Sequence, residues 1–315
     1  MNNSLKTGFT LVFYFGKVTL TFDVWHKFGR IKKNQRSDLR QVSGGPTSVN
    51  AFMPYRKEQF VNGEIYHIVL RRAGNELFFG DTDDYYRGVF YVYECNTTKL
   101  IKIRERRRAR AKFKETLKKI IEADTGQTRD NLKEKKIEKV LIWKDERDRL
   151  VEVLAFCLMP NHIHLLVRQL KEGGISKFIQ KIASGYAAYF KNKYGIKLKG
   201  HFFQDRFSAI RIKTDKQLRV VFVYIHTNPT LLIEPEWKEK GVKDSDKVIK
   251  FLEGYKWSSY PDYLGKKNFP SVSEREFILE VMGGEKGCRE WVEGWIKYKA
   301  EIKKLIEKFS NLALE

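Results

Sequence analysis

Pro160-Asn161-His162-Ile163-His164-Leu165-Leu166-Val167 is the stretch whose reading decides the fold. The Pro-Asn pair has the chemistry of a tight turn, and the β-branched and leucine-rich run behind it has the composition of a strand. Side chains alternate faces along a strand, so His162 and His164 project from one face while Ile163, Leu165 and Val167 project from the other. Two imidazoles fixed side by side can chelate a divalent metal. An isolated His-x-His pair is also at home on the polar face of a half-buried strand. Just upstream, Leu150-Val151-Glu152-Val153-Leu154-Ala155-Phe156-Cys157-Leu158 is a second apolar run. With Met159-Pro160-Asn161 as the turn, the two runs form an antiparallel hairpin whose inner strand opens with the histidines.

Working outward, Glu64 to Arg71 reads as a first strand, with His67 packing beside the sheet rather than binding metal. Asp81-Thr82-Asp83-Asp84 is a capping signal for a short apolar helix over Tyr85 to Tyr93. Lys99 to Lys119 is strongly basic with apolar residues at helical spacing, and the charged stretch 104–149 reads as a helix-rich insertion. Downstream, Gly173-Gly174 breaks the chain, and Ser176 caps a helix to about Tyr194 whose apolar stripe includes Phe178, Ile182, Tyr186 and Phe190. A basic loop between Gly195 and Gly200 precedes a strand at Ala209-Ile210-Arg211-Ile212. Thr214-Asp215 caps the next helix, which must end near Asn228 because Pro229 disfavours helical geometry in the residue before it. Trp237 to Lys250 reads as a charged link, and 271–315 as helices forming a small appendage on the core. Residues 1–52 end in the linker-like Ser43-Gly44-Gly45-Pro46-Thr47-Ser48 and read as an accessory extension or translated upstream sequence.

A chain of 315 residues holds one large domain or two modest ones. No apolar run is long enough to span a bilayer, and the segment 9–20 is too broken by Gly, Lys and Thr for a signal sequence. The three cysteines, Cys95, Cys157 and Cys288, are widely spaced and unpaired in sequence, so they form neither a disulfide framework nor a thiolate zinc site. The expected setting is soluble and cytoplasmic. Lys and Arg outnumber Asp and Glu by 61 to 39, a net charge of +22 that favours a polyanionic partner.

On the last of those helices Tyr224 and Asn228 are four residues apart and share a face. A tyrosine hydroxyl is a weak nucleophile near neutrality, but it can displace a phosphate oxygen when a metal polarises the phosphodiester. The two strand histidines and the Asn228 amide oxygen would make three ligands with positions open for that phosphate.

The segments Phe156 to Val167, Gly200-His201-Phe202-Phe203-Gln204-Asp205-Arg206-Phe207 and Tyr224-Ile225-His226-Thr227-Asn228-Pro229 resemble, in order and spacing, the single-tyrosine transposases of the HUH endonuclease superfamily, in particular the REP-associated tyrosine transposases. Trp257-Ser258-Ser259-Tyr260 is similar to a further segment of that group. The resemblance spans about 53–265, with Met-Pro-Asn-His-x-His its most specific part.

It implies an α+β, ferredoxin-like sandwich with a largely antiparallel sheet, a catalytic domain at 53–235 and a helical region at 236–315. It also implies cleavage and rejoining of single-stranded DNA at hairpin-bearing ends, with Tyr224 as nucleophile in a 5′-phosphotyrosine intermediate. His162, His164 and Asn228 would hold Mg²⁺ or Mn²⁺. Tyr189 is the second choice of nucleophile, ahead of Tyr186 and Tyr194. Candidate DNA contacts are Lys197, Lys199, Gln204, Arg206 and Arg211. Asp205 stands where the family commonly has Gly, and Thr227 where it has an aliphatic residue, which puts DNA affinity in question more than chemistry. A non-catalytic single-strand binding module on the same fold and a phosphodiesterase using water remain the alternatives, and the oligomeric state is open.

Overall fold

In the computed structural model the described residues are 10–15, 18–23, 59–101, 147–196, 201–204 and 207–312, with scattered helical positions between 105 and 119. Most of the expected basic helix, the insertion, Lys197, Lys199, Asp205 and Arg206 lie outside them. The chain divides into two compact units, Met1–Tyr55 and Arg56–Glu315. In the first, strands β1 (Thr10–Phe15) and β2 (Val18–Asp23) pair antiparallel.

The second unit contains β3 (Ile65–Arg71), α1 (Thr82–Glu94), β4 (Val151–Met159), β5 (His162–Gln169), α2 (Gly174–Tyr194), β6 (Ser208–Ile212) and α3 (Asp215–Thr227). The strands run β4-β5-β3-β6, every neighbour antiparallel. A β-α-β-β-α-β chain with its first and third strands central is the ferredoxin-like arrangement, so the fold is α+β as expected. Pro160-Asn161 is a two-residue turn pairing Met159 with His162. The Pro160 carbonyl accepts from the Phe78 and Phe79 amides and the Asn161 carbonyl from the Arg72 amide, which ties the turn to the end of β3.

Strand alternation divides the core in two. Tyr66, Ile68, Leu70, Ile163, Leu165 and Val167 face α1 and α2. Ala155, Cys157 and Leu166 face α3 and the C-terminal helices. Each fully buried aliphatic or aromatic side chain stabilises the fold by roughly 2 kcal/mol, so both layers are integral. His67, His162 and His164 lie at positions in register with the second face.

Local signals placed most helix ends correctly. Asp81 accepts from the Asp84 amide at 3.0 Å and Thr214 from the Gln217 amide at 3.2 Å, while α3 stops at Thr227 before Pro229. The Ser176 cap is corrected: the N-cap lies three residues earlier, at Gly173, whose left-handed φ of 63° suits glycine. The charged link is also corrected, because helices cover Trp237–Lys240 and Ser245–Gly254, and Trp237, Val242 and Val248 are buried against α3's layer. The C-terminal helices Glu276–Met282 and Gly284–Leu312 bury Ile278, Met282, Cys288, Val292 and Ile296 in that same layer.

Candidate active site

His162 and His164 meet through their ring nitrogens, with Nε2 of one 2.9 Å from Nε2 of the other. Their far nitrogens are anchored: His162 Nδ1 lies 2.5 Å from Asn161 Oδ1, and His164 Nδ1 lies 3.0 Å from His67 Nε2. When Asn161 and His67 accept those two Nδ1 protons, both Nε2 lone pairs point at one place, a disposition that requires a shared proton or a cation between them. A hydrogen-bond acceptor on the far ring nitrogen fixes the tautomer and orientation of a metal-ligating histidine, and the Asn161 amide oxygen and the His67 imidazole stand in that position here.

Burial keeps these rings neutral. It pulls His162 down to about 3, helped by the charges of Arg71 and Lys238. It pulls His67 down to about 4. His164, only 1% exposed, is held far below the ordinary histidine range by burial first and then by its charged and imidazole neighbours. Neutral imidazoles with free lone pairs are the form a metal requires, so the residues present fit a divalent ion. Among the described residues no group of three or more His, Cys, Asp or Glu side chains is disposed to hold one. His67 Nε2 meets His164 on the nitrogen that faces away from His162, the position of a supporting partner.

Tyr224 is brought to this cluster by α3. Its ring stands edge-on to His164, with centroids 5.5 Å apart, and to His67 at 5.8 Å. Most of the α3 residues around it are buried, but Tyr224 is 40% exposed and faces a cleft of about 440 Å³ lined also by Arg71, His162, Asn228 and Lys238. Among the described residues no carboxylate lines that cleft, and its Arg71 and Lys238 favour an anion. One turn on, Asn228 donates through Nδ2 to the Tyr224 carbonyl at 2.7 Å, and its Oδ1 accepts from Lys238 Nζ at 3.3 Å. Asn228 thus shares the cleft with the histidine pair, but its amide oxygen faces Lys238.

Tyr189 goes elsewhere. It lies on α2 against the opposite face of the sheet, and its hydroxyl donates to Asp84 Oδ1 at 2.8 Å. Tyr194 donates to the same carboxylate and Tyr186 to the Phe78 carbonyl. Gln204 is exposed, with its backbone N–H donating to the Arg71 carbonyl, and Arg211 is ion-paired with Glu64.

Three participants escaped the sequence reading as site residues. His67 could have been found by placing it diagonally across the β3–β5 pair from His164, since the register sets Val69 against His164. Arg71 faces His162 in the same register. Lys238 sits in a stretch whose charge masked its buried neighbours and gave no signal.

Part of this cluster lies in a stretch that matches a known family. Residues 127–228 match the family described as Transposase IS200 like. The resemblance read from the motifs is borne out. The IS200-like stretch runs through the histidine strand to Asn228; His67, Arg71 and Lys238 fall outside it. None of the curated proteins matches the chain. A solved structure titled "Structure of the REP associates tyrosine transposase bound to a REP hairpin" is 14% identical, covering 71% of this chain and 93% of that one, at a TM-score of 0.37.

Proposed function

We propose that this chain is a metal-dependent transposase and endonuclease of single-stranded DNA, acting at hairpin-bearing ends through a 5′-phosphotyrosine link on Tyr224. The observation that carries it is the meeting, at a basic cleft, of an exposed helix tyrosine with a neutral histidine pair, the tyrosine and the pair both inside the stretch that matches IS200-like transposases. The Tyr224 hydroxyl attacks the phosphorus, the bond from phosphorus to the 3′ oxygen breaks, and the released 3′-OH carries away a proton. The DNA 5′ end stays esterified to Tyr224. Attack by a 3′-OH on that ester reverses the step and rejoins the strand.

The His162 and His164 Nε2 atoms, with the Asn228 amide oxygen handed over from Lys238, would hold Mg²⁺ or Mn²⁺. Such an ion supplies Lewis-acid polarisation of the phosphodiester and neutralises developing charge. Asn161 and His67 fix the two ring tautomers, and α3 fixes the angle at which Tyr224 approaches. The catalytic domain in this reading is 53–235, with the later helices supporting α3 from behind.

Labelled single-stranded hairpin DNA incubated with the protein and Mn²⁺ tests the reading. A covalent adduct that disappears in Tyr224→Phe is expected. Cleavage without an adduct would transfer the nucleophile's role to water, and binding without cleavage would reduce the chain to a nucleic-acid module.

A further inference from the structure

We infer that Lys238 and Arg71 form a phosphate clamp that grips the scissile phosphate while Tyr224 attacks it. The proposal rests on the transposase reading above for its chemistry, but its geometry is independent of it. Both side chains line the same cleft as Tyr224 and His162, entering from different elements: Arg71 from the end of β3, opposite His162, and Lys238 from the short helix Trp237–Lys240. Lys238 Nζ sits 5.3 Å from the centroid of the Tyr224 ring and 3.3 Å from Asn228 Oδ1. It is thus poised on the attacking residue itself.

The contrast with neighbouring cations gives the clamp its direction. Arg72 is paired with Glu76, Arg211 with Glu64, Lys193 with Asp81 and Asp84, and Lys240 with Glu236. Among the described residues neither Arg71 nor Lys238 has a carboxylate within ion-pair distance, although Lys238 is half-buried. Burial first of all disfavours the Lys238 charge; the neighbouring Glu239 eases this and Arg71 and Lys299 add to it, so a bound anion between Lys238 and Arg71 would relieve their repulsion. A phosphodiester is the anion that a tyrosine nucleophile in the same cleft would need. Arginine offers a planar fork to two phosphate oxygens and lysine a point charge to a third, a division of labour common in phosphate sites.

The test uses the full chain. In a Tyr224→Phe background, binding of an unstructured single-stranded oligonucleotide is measured against salt. Lys238→Gln and Arg71→Gln are each expected to flatten the slope of log affinity against log salt by about 0.7, the loss of one single-strand phosphate contact. Lys238→Arg should restore it. With Tyr224 present and saturating DNA and Mn²⁺, single-turnover adduct formation should fall on the order of 100-fold in either Gln variant, with a much smaller change in half-saturating DNA. Thermal melts verify folding, and if Lys238→Gln fails to fold, Arg71→Gln alone decides the slope. Unchanged slope and rate in folded variants, alongside a normal wild-type adduct, would overturn the clamp and leave the Tyr224 reading standing. A flattened slope with no wild-type adduct would leave Lys238 and Arg71 as a phosphate-binding pair but overturn both the phosphotyrosine reading and the clamp's part in that attack.

Discussion

Replacing His67 by Leu removes the partner of His164 Nδ1 at a place closed to bulk water, since His164 is 1% and His67 5% exposed. With His67 Nε2 accepting across the 3.0 Å contact, His164 carries its proton on Nδ1 and its Nε2 is free for a metal. A buried polar group left unpaired costs about 1–3 kcal/mol. Lost orientation of a ligating histidine weakens metal binding by roughly 10- to 100-fold, which is about 1.4–2.8 kcal/mol, so the two ranges coincide. Leucine fills a similar volume, so the fold should persist. Calorimetric titration of Mn²⁺ into wild-type, His67→Leu and His67→Gln chains is the assay. The Leu variant should bind roughly 10- to 100-fold more weakly, and the Gln variant, which keeps an amide for the Nδ1 proton, should recover part of that loss. Mn²⁺ affinity in the Leu variant equal to wild type would refute the assignment of His67 as the support of His164.

Acid should destabilise the fold through His226, which is buried against Phe222, Tyr260 and Tyr263 and sits at about 3 in the folded chain. The unfolded chain takes up that proton near pH 6.5 and the folded chain does not, so the stability is present above that pH and lost as pH falls below it. The loss reaches about 2 kcal/mol at pH 5 from this residue alone, and urea midpoints at pH 8 and pH 5 should differ less in His226→Phe than in wild type. Gly174→Ala would place a Cβ 2.4 Å from the Leu150 carbonyl oxygen, a backbone atom with little room to move, and should lower stability by about 1–3 kcal/mol in chemical denaturation. Tyr189→Phe should leave adduct formation intact, because its hydroxyl serves Asp84 on the far face of the sheet; its cost is one hydrogen bond, about 1 kcal/mol, read in the same denaturation.

What sequence revealed and what it hid follow from the range of the interactions. The Pro160-Asn161 turn, the two faces of β5, the Asp81 and Thr214 caps and the stop before Pro229 depend on residues within a turn or two, and each was legible. The pairing of Tyr224 with Asn228 was legible for the same reason, as positions one turn apart on α3. His67 and Lys238 were not, because their roles arise only when β3 is zipped beside β5 and the chain after Pro229 folds back over α3. Trp237 shows the difficulty: a single large apolar residue among charges reads as a solvated link, yet it is buried and carries Lys238 to the cleft. The Gly173 cap was missed because serine is the commoner signal and a left-handed glycine supplies no side chain to recognise.

The most direct measurement is the mass of the peptide that carries the DNA. Trypsin cutting after Arg219 and Lys238 releases residues 220–238, in which Tyr224 is the only tyrosine, and cutting after Lys181 and Lys191 releases 182–191 with Tyr186 and Tyr189. After reaction with single-stranded hairpin DNA and Mn²⁺ and digestion of the DNA, the nucleotide mass should appear on 220–238. Its appearance on 182–191, or on no tyrosine peptide while cleavage proceeds, would contradict the account.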